Sequence, residues 1–357
     1  MDKYFYFDDI FEDYTKYSLK ISKNLYLKSG LYPIIDQGKE KIAGYSDKNA
    51  NIFDKIPVII FGDHTRIFKY IDYPFFLGAD GVKILKNTSS LFLDKYLYYS
   101  LKNFKIPNTG YNRHFKWLKD FKIKYISLVK QEKIVSLIEK IEYFILKKKE
   151  QLKYLKKLNK SLFTSMFGDI KTNDKNWEIK KLKELVEIKS YRINENLDSI
   201  WLLNLEDIEP NTGKLIRKRE ISFENIPSST ISFNEDYILY SKLRPYLNKV
   251  FLPDEKGIGT SELIPLLPKK IINKIFLVEY LRNDKVVDFL SQKVSGAKMP
   301  RIIMKEFQDL NLIVPPIELQ NKFAERVEKI EKLSFEIEKS IKEAQNLYDN
   351  LMNEYFD

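Results

Sequence analysis

Two stretches of the chain, residues 131–167 and 320–356, carry one and the same pattern, and self-similarity of this kind limits the architecture more than any other feature. Gln131–Phe167 contains neither Pro nor Gly and places an apolar residue at almost every third or fourth position, the period of a helix. Set in heptads, Ile134, Ile141, Leu155 and Leu162 share one core position, broken by Lys148. Ile138, Ile145, Leu152 and Met166 share the other, broken by Asn159. So narrow a strip reads as a seam for a partner helix, not as the wide face of a helix lying on a globular core. Gly168 is placed to end the helix in a left-handed conformation.

The partner lies at the end of the chain. Gln320 matches Gln131, Lys322 matches Lys133, Glu328–Glu331 repeats Glu139–Glu142, and Phe356 matches Phe167, all at an offset of 189 (320 − 131 and 356 − 167). In the same register Phe323, Ile330, Ile337, Ala344 and Leu351 take one core position. Val327, Ile341, Tyr348 and Tyr355 take the other, with Ser334 as its weak place. Residues 130–167 hold ten Lys against four Glu, a net of +6, whereas 318–357 hold ten acidic against six basic residues, a net of −4. Seams of opposite charge prefer each other to themselves. The alternative is two amphipathic helices packed on separate domains.

Each long helix follows a globular block. The first block, residues 1–127, alternates short apolar runs with turn residues: strands are expected at 32–35, 58–61 and 82–85, and a helix at Ser90–Lys102. Its polar turns are Asp36–Lys41, Phe61–Arg66, Gly78–Gly81 and Thr109–His114. Residues 128–168 form the central helix. The second block, 169–317, opens on Trp177–Lys189, read as helical, where Leu182 and Leu185 match Phe7 and Ile10 at an offset of 175 (185 − 10). Strands are expected at 199–205, 237–240 and 263–267. Between them lies Ser241–Lys249, with two Lys, one Arg, one Asn and one Tyr on a loop stiffened by Pro245, and further on Gly259–Glu262 and Ser295–Arg301. Val314-Pro315-Pro316 then breaks the chain before the helix of 318–357. The expected fold is α+β: two mixed, strand-rich blocks separated by a long antiparallel two-helix coiled coil, a dumbbell with a pseudo-two-fold axis.

Composition narrows the function. The net charge of +11 favours a polyanionic partner, although Lys-richness from an AT-rich genome gives the same balance. With no Cys there is no disulfide, thiol nucleophile or Cys-bound zinc, and His64 and His114 are too few for a His-rich metal site. The acidic, aromatic start MDKYFYFDD does not read as a signal peptide, and no apolar run approaches the roughly 18 residues of a membrane span, which together fit a cytoplasmic protein. There is no phosphate-binding GxxxxGK[ST] loop, no GxGxxG after a strand, and no Asn/Asp-Pro-Pro-Tyr/Phe run. Glu178-Ile179-Lys180 and Glu187-Ile188-Lys189 have the ExK form of a metal-dependent nuclease but lack an acidic partner. Asp63, His64 and Glu262 are acid/base candidates that nothing pairs.

The layout resembles the specificity subunit of type I restriction-modification systems over essentially the whole chain. The likeness rests on the block–helix repeat, on Tyr240–Lys249, on Ser295–Arg301, and on Val314–Gln320, which is similar to the family's proline-rich helix entry ending in Gln. Tyr32–Gly44 and Phe61–Arg66 look like a second type of recognition domain. Two features depart from the pattern: the first entry, Tyr125–Gln131, lacks the prolines, and the chain starts almost directly on the first block, leaving little N-terminal contribution to a partner interface.

The resemblance implies a protein without catalysis or cofactor of its own. Each block would be a target recognition domain reading one half of a bipartite, asymmetric site on double-stranded DNA. The helices would fix the spacing and carry two methyltransferase subunits. S-adenosylmethionine would sit on those partners, and ATP with Mg on a motor-nuclease (restriction) subunit where one is present. A helix of this length, roughly 50 Å, separates two readers by on the order of 15 base pairs. Carried onto this sequence, the DNA contacts would be Gln37, Lys39, Lys41, His64, Arg66, Tyr111, Asn112 and Arg113 in the first block. In the second they would be Lys242, Arg244, Tyr246, Asn248, Lys249, Lys298 and Arg301. Arg244 and Arg301 suit guanine edges or phosphates, Asn112 and Asn248 adenine, and a structural role is the alternative for Tyr111, Tyr246 and Arg301. The rivals from other classes are a coiled-coil adaptor with two protein-binding heads and a self-contained nuclease.

Overall fold

The computed structural model describes residues 3–78, 81–110, 112–193, 198–296 and 298–356. It divides into two compact units, one of residues 1–149 with 339–357, the other of residues 150–338, so that each unit takes part of both long helices.

In the first unit, strand Tyr4–Tyr6 pairs antiparallel with Lys122–Lys124, and the helical turn Phe7–Ile10 buries Phe7 and Ile10. Strands Phe11–Asp13, Val82–Asn87, Val58–Gly62 and Phe68–Ile71 form an antiparallel sheet in that order. Val58–Gly62 is buried at every residue, which is why it reads as an unbroken apolar run and not as an alternation. Gly44–Ser46, Tyr32–Ile35 and Phe76–Leu77 make a second sheet whose last pair is parallel. Helix Asp94–Asn103 turns Tyr96, Leu97, Tyr99 and Leu101 inward.

The second unit repeats this plan. Glu178–Lys181 pairs with Asn311–Val314, and the turn Leu182–Leu185 buries both leucines. One sheet runs Val186–Ile188, Leu263–Pro268, Ile238–Ser241, Val250–Phe251; the other runs Arg219–Ser222, Ser199–Leu203, Gly257–Thr260, Thr230–Phe233 and again contains one parallel pair. Trp177–Lys189 is therefore not the helix its composition suggests but strand, turn and strand. Pairing with a strand more than a hundred residues away overrides the local helical propensity.

The two long helices, Leu128–Phe167 and Ile317–Phe356, are 40 residues each. In the first unit the start of the first helix lies with the end of the second: Ile134, Val135, Ile138, Ile141 and Ile145 share a core with Tyr348, Leu351 and Met352. In the second unit the end of the first lies with the start of the second: Phe163 and Phe167 pack on Phe323, with ring centroids 5.6 and 5.1 Å apart, and Val327 joins them. The pairing is antiparallel in both. At these helix roots the buried face is wider than a seam, since Val135, Phe163, Phe167 and Met352 also turn in against the globular cores. The expectation of a narrow strip is corrected there. Away from the roots burial thins: Leu152, Leu155 and Ile330 are half-buried, although Ile337 is buried. Leu162 and Ile341 are half-buried against their cores. Tyr355, assigned to the seam by heptad counting, is 37% exposed, with Met352 and Phe356 inward instead.

Each helix is fastened by the matched glutamine. The fully buried Gln131 side chain donates to the carbonyls of Leu91 and Ile126 and accepts from the Leu93 N–H, each at 2.8 Å. Gln320, also fully buried, donates to Ile271 (3.2 Å) and Pro315 (2.7 Å) and accepts from Asn273 N–H (2.9 Å). The Ile126 carbonyl thus takes the part that Pro315 plays in the second unit, so the entry without prolines keeps the same fastening. At Gly168 (φ 77°) the first helix stops; a Cβ there would lie 2.1 Å from Asp174 Oδ1, and Trp177 Nε1 caps the Phe167 carbonyl at 2.9 Å.

Candidate nucleic-acid interface

In the first unit three polar loops converge on the turn after strand Val58–Gly62. The buried Asp63 carboxylate accepts the backbone N–H groups of His114 and Phe115, each at 2.7 Å, and the Asp63 N–H donates to Gly81 (2.7 Å). His114 is fully buried, its Nδ1 2.9 Å from the Asp63 carbonyl. Asp63 is thus a scaffold anchor, not an unpaired acid. Around it, His64 N–H donates to Gln37 Oε1 (3.2 Å), Thr65 Oγ1 to the Gln37 carbonyl (2.7 Å), and His64 Nδ1 sits 3.2 Å from the Asn112 carbonyl. Gly81, at φ 81°, makes this close approach possible: a Cβ would meet His64 Cδ2 at 2.7 Å.

These contacts bring Gln37, His64 and Asn112 together. Lys39, Lys41, Asn112 and Arg113 are exposed, with Lys41 stacked over Tyr73. Arg66, in the left-handed region at φ 60°, is half-buried and reaches the Ile106 carbonyl at 3.5 Å. Tyr111, like Ala79 and Asp80 of the Gly78–Gly81 turn, lies outside the described residues. The sequence reading missed Lys69, which is buried and donates to the carbonyls of Asp36 (2.7 Å) and Glu40 (2.6 Å), stapling the 36–41 loop from beneath. Burial holds its ammonium below the usual lysine range, against the pull of Asp36. Strand alternation with Ile71 was the available signal, since it puts Lys69 on the inner face.

The second unit laces its loops in the same way. Lys242 N–H donates to Glu262 (2.8 Å), Ile302 N–H to Lys242 (2.9 Å) and Arg244 N–H to Pro300 (2.8 Å), so 241–249, 259–262 and 300–302 become one surface. Arg244 (φ 51°) and Asn248 (φ 49°) bracket the turn Pro245–Leu247, both left-handed. Arg244 and Tyr246 project into solvent, Tyr246 at 52% exposure, which removes a buried role for that ring. Asn248 is a correction: it is only 7% exposed and its amide donates to the Arg282 carbonyl (3.1 Å), so it holds the loop instead of facing an adenine.

Lys242 and Lys249 also brace the loop, donating to the carbonyls of Ser261 (2.5 Å) and Leu205 (2.6 Å). Burial lowers the Lys249 pKa, opposed by Asp207 and Glu206. Lys298 is exposed. Arg301, also exposed, forms a two-pronged pair with Glu262, which raises its pKa: Nε to Oε1 (2.9 Å) and Oε2 (3.1 Å), Nη2 to Oε1 (2.8 Å). Glu262 therefore has the partner the sequence did not supply. A second unanticipated cluster holds the buried Asp207 carboxylate between Arg217 (3.4 Å) and Arg219 (3.0 Å).

Neither ExK stretch has nuclease geometry. Glu178 pairs with its own Lys180 at 2.9 Å and Glu187 with Lys189 at 2.5 Å, and the strand beside 178–181 is Asn-Leu-Ile-Val. Among the described residues no group of three His, Cys, Asp or Glu is placed to hold a metal, and no helix is long and apolar enough to cross a membrane.

The type I restriction modification DNA specificity domain matches residues 174–345, which include every loop of the second unit just described. That segment, a little under half of the chain, is what resembles the family. It is 28% identical over 178 residues to the EcoDI type I restriction enzyme specificity subunit of Escherichia coli, covering 49% of this chain and 39% of that protein. It is 24% identical over 313 residues to the MjaVIII specificity subunit of Methanocaldococcus jannaschii, covering 75% and 71%. The chain thus spans about two-fifths of the length of the Escherichia coli specificity subunit. In fold it is similar to the type I S subunit from M. genitalium, with a TM-score of 0.65 at 18% identity over 100% of this chain and 96% of the other.

Proposed function

We propose that this chain is the DNA-recognition subunit of a type I restriction-modification complex, without catalysis of its own. Each unit reads one half of a bipartite, asymmetric DNA site. The long helices set the spacer between the halves and dock two methyltransferase subunits, which supply S-adenosylmethionine and methylate adenine; a motor-nuclease subunit, where present, supplies ATP-dependent cleavage. The observation that carries this reading is the repeated loop lacing. In both units the residue after the central strand, Asp63 or Lys242, is joined through its main chain to two distant loops, and the resulting surface presents amides, guanidinium groups and aromatic rings. Such groups serve phosphate and base-edge contacts.

The test is co-expression with the cognate methyltransferase followed by mapping of methylated adenines in host DNA. The reading expects a bipartite motif of fixed spacer that disappears when this chain is left out. A stable complex without a methylation pattern would support an adaptor instead.

A further inference from the structure

We infer that Glu262 is a specificity-positioning residue, holding Arg301 so that the free end of its guanidinium addresses one guanine in the half-site read by the second unit. The inference rests on the DNA-recognition reading above. Glu262 and Arg301 are 39 residues apart, yet both rise from a frame fixed by main-chain bonds: Lys242 N–H to Glu262, Ile302 N–H to Lys242, and a bridge between Leu243 and Arg301. The carboxylate engages the Nε edge of the guanidinium, taking Nε–H and one hydrogen of Nη2. Of the five donors of an arginine, three remain, two on Nη1 and one on Nη2, and they point away from the carboxylate. Guanine presents two acceptors, O6 and N7, in the major groove, which the end of the fork matches.

Charge separates base from phosphate as the target. The Glu262–Arg301 pair is neutral as a unit, and its carboxylate repels a phosphate, so it gains little from the DNA backbone. A neutral base edge carries no such penalty, and an arm already fixed in place loses less side-chain freedom on binding. Arg244, exposed and without a carboxylate partner among the described residues, has the complementary chemistry of a phosphate contact. The side chains of Arg301 and Glu262 are 46% and 26% exposed, so the pair is open to a ligand. In the first unit the place of Glu262 is taken by Gly81, the acceptor of the Asp63 N–H, which has no side chain to hold an arginine. The effect is therefore assigned to the half-site of the second unit.

The test maps methylated adenines produced by the complex with its cognate methyltransferase, carrying Glu262→Ala, Glu262→Gln, Arg301→Ala or Arg244→Ala. Glu262→Ala and Arg301→Ala are expected to relax the same single G·C pair, with discrimination there falling about tenfold or more, while the other half-site and the spacer stay unchanged. Glu262→Gln, which keeps one acceptor, falls between. Arg244→Ala lowers methylation at all sites alike. Relaxation at different positions, at an A·T pair, or at none overturns the inference. Should Glu262→Ala fail to assemble, Glu262→Gln and Arg301→Ala decide it: an unaltered motif in both overturns it. A wild type without any bipartite motif would overturn the recognition reading itself, and this inference with it.

Discussion

Gln131 and Gln320 are where single side chains hold most of the architecture. Each is buried, makes three hydrogen bonds to backbone groups, and ties a helix entry to the block that precedes it. Gln320→Ala strands those buried backbone partners, and a loss of about 2–4 kcal/mol is expected in a denaturant titration, with Gln131→Ala costing as much. At Asp13, burial raises the carboxyl pKa, but hydrogen bonds from Lys83 (2.7 Å) and Thr15 outweigh it and leave the group below the usual range. A depressed carboxyl pKa contributes stability that is present above the unfolded value, about 4, and is lost as pH falls through the folded one. Asp13→Asn is therefore expected to flatten the acid limb of a stability-against-pH profile while leaving the slope above pH 5 alone; an unchanged acid limb would contradict the assignment. Repeats in the sequence marked both glutamines as a pair. What they bond to was not legible, because Leu91 and Ile271 become neighbours only through the fold. The same limit explains Asn248: its residue type suits base reading, and only packing against Arg282 turns it inward.

At the scale of elements, sequence and structure agree where one period dominates. The long helices were readable because nothing else accounts for so sustained an apolar repeat, and Gly168 marks the stop. Heptad counting failed at the helix roots, where contact with a globular core recruits flanking residues: Val135, Phe163, Phe167 and Met352 come in, and Tyr355 goes out. Trp177–Lys189 failed for the opposite reason, since its short strands are specified by their partners at 311–314 and 266–268 and not by their own composition. Phe323 is the sharpest probe of the helix roots. It is fully buried against Phe163, Phe167 and Phe276, so Phe323→Ala is expected to cost about 3–5 kcal/mol and to lower the thermal midpoint of the second unit. Leu333→Ala, at an exposed helix position, is the control and should change stability by less than about 0.5 kcal/mol.

At the scale of the whole molecule, charge and length are the properties that govern DNA binding. A net charge of +11 together with the exposed Arg113 and Arg244 predicts that DNA affinity of the assembled complex falls steeply between about 50 and 200 mM salt, as log K against log salt; a flat response would favour a protein-binding adaptor. Length gives the more demanding test. Forty residues make a helix of about 60 Å, and one added heptad lengthens it by about 10 Å, the rise of roughly three base pairs. The measurement to make is the methylation motif of a complex in which one heptad is inserted into each long helix, away from the two glutamine fastenings. Two readers on a helical ruler predict both half-sites unchanged and a spacer longer by about three base pairs; an active complex that keeps the original spacer, or that alters a half-site, would contradict the account.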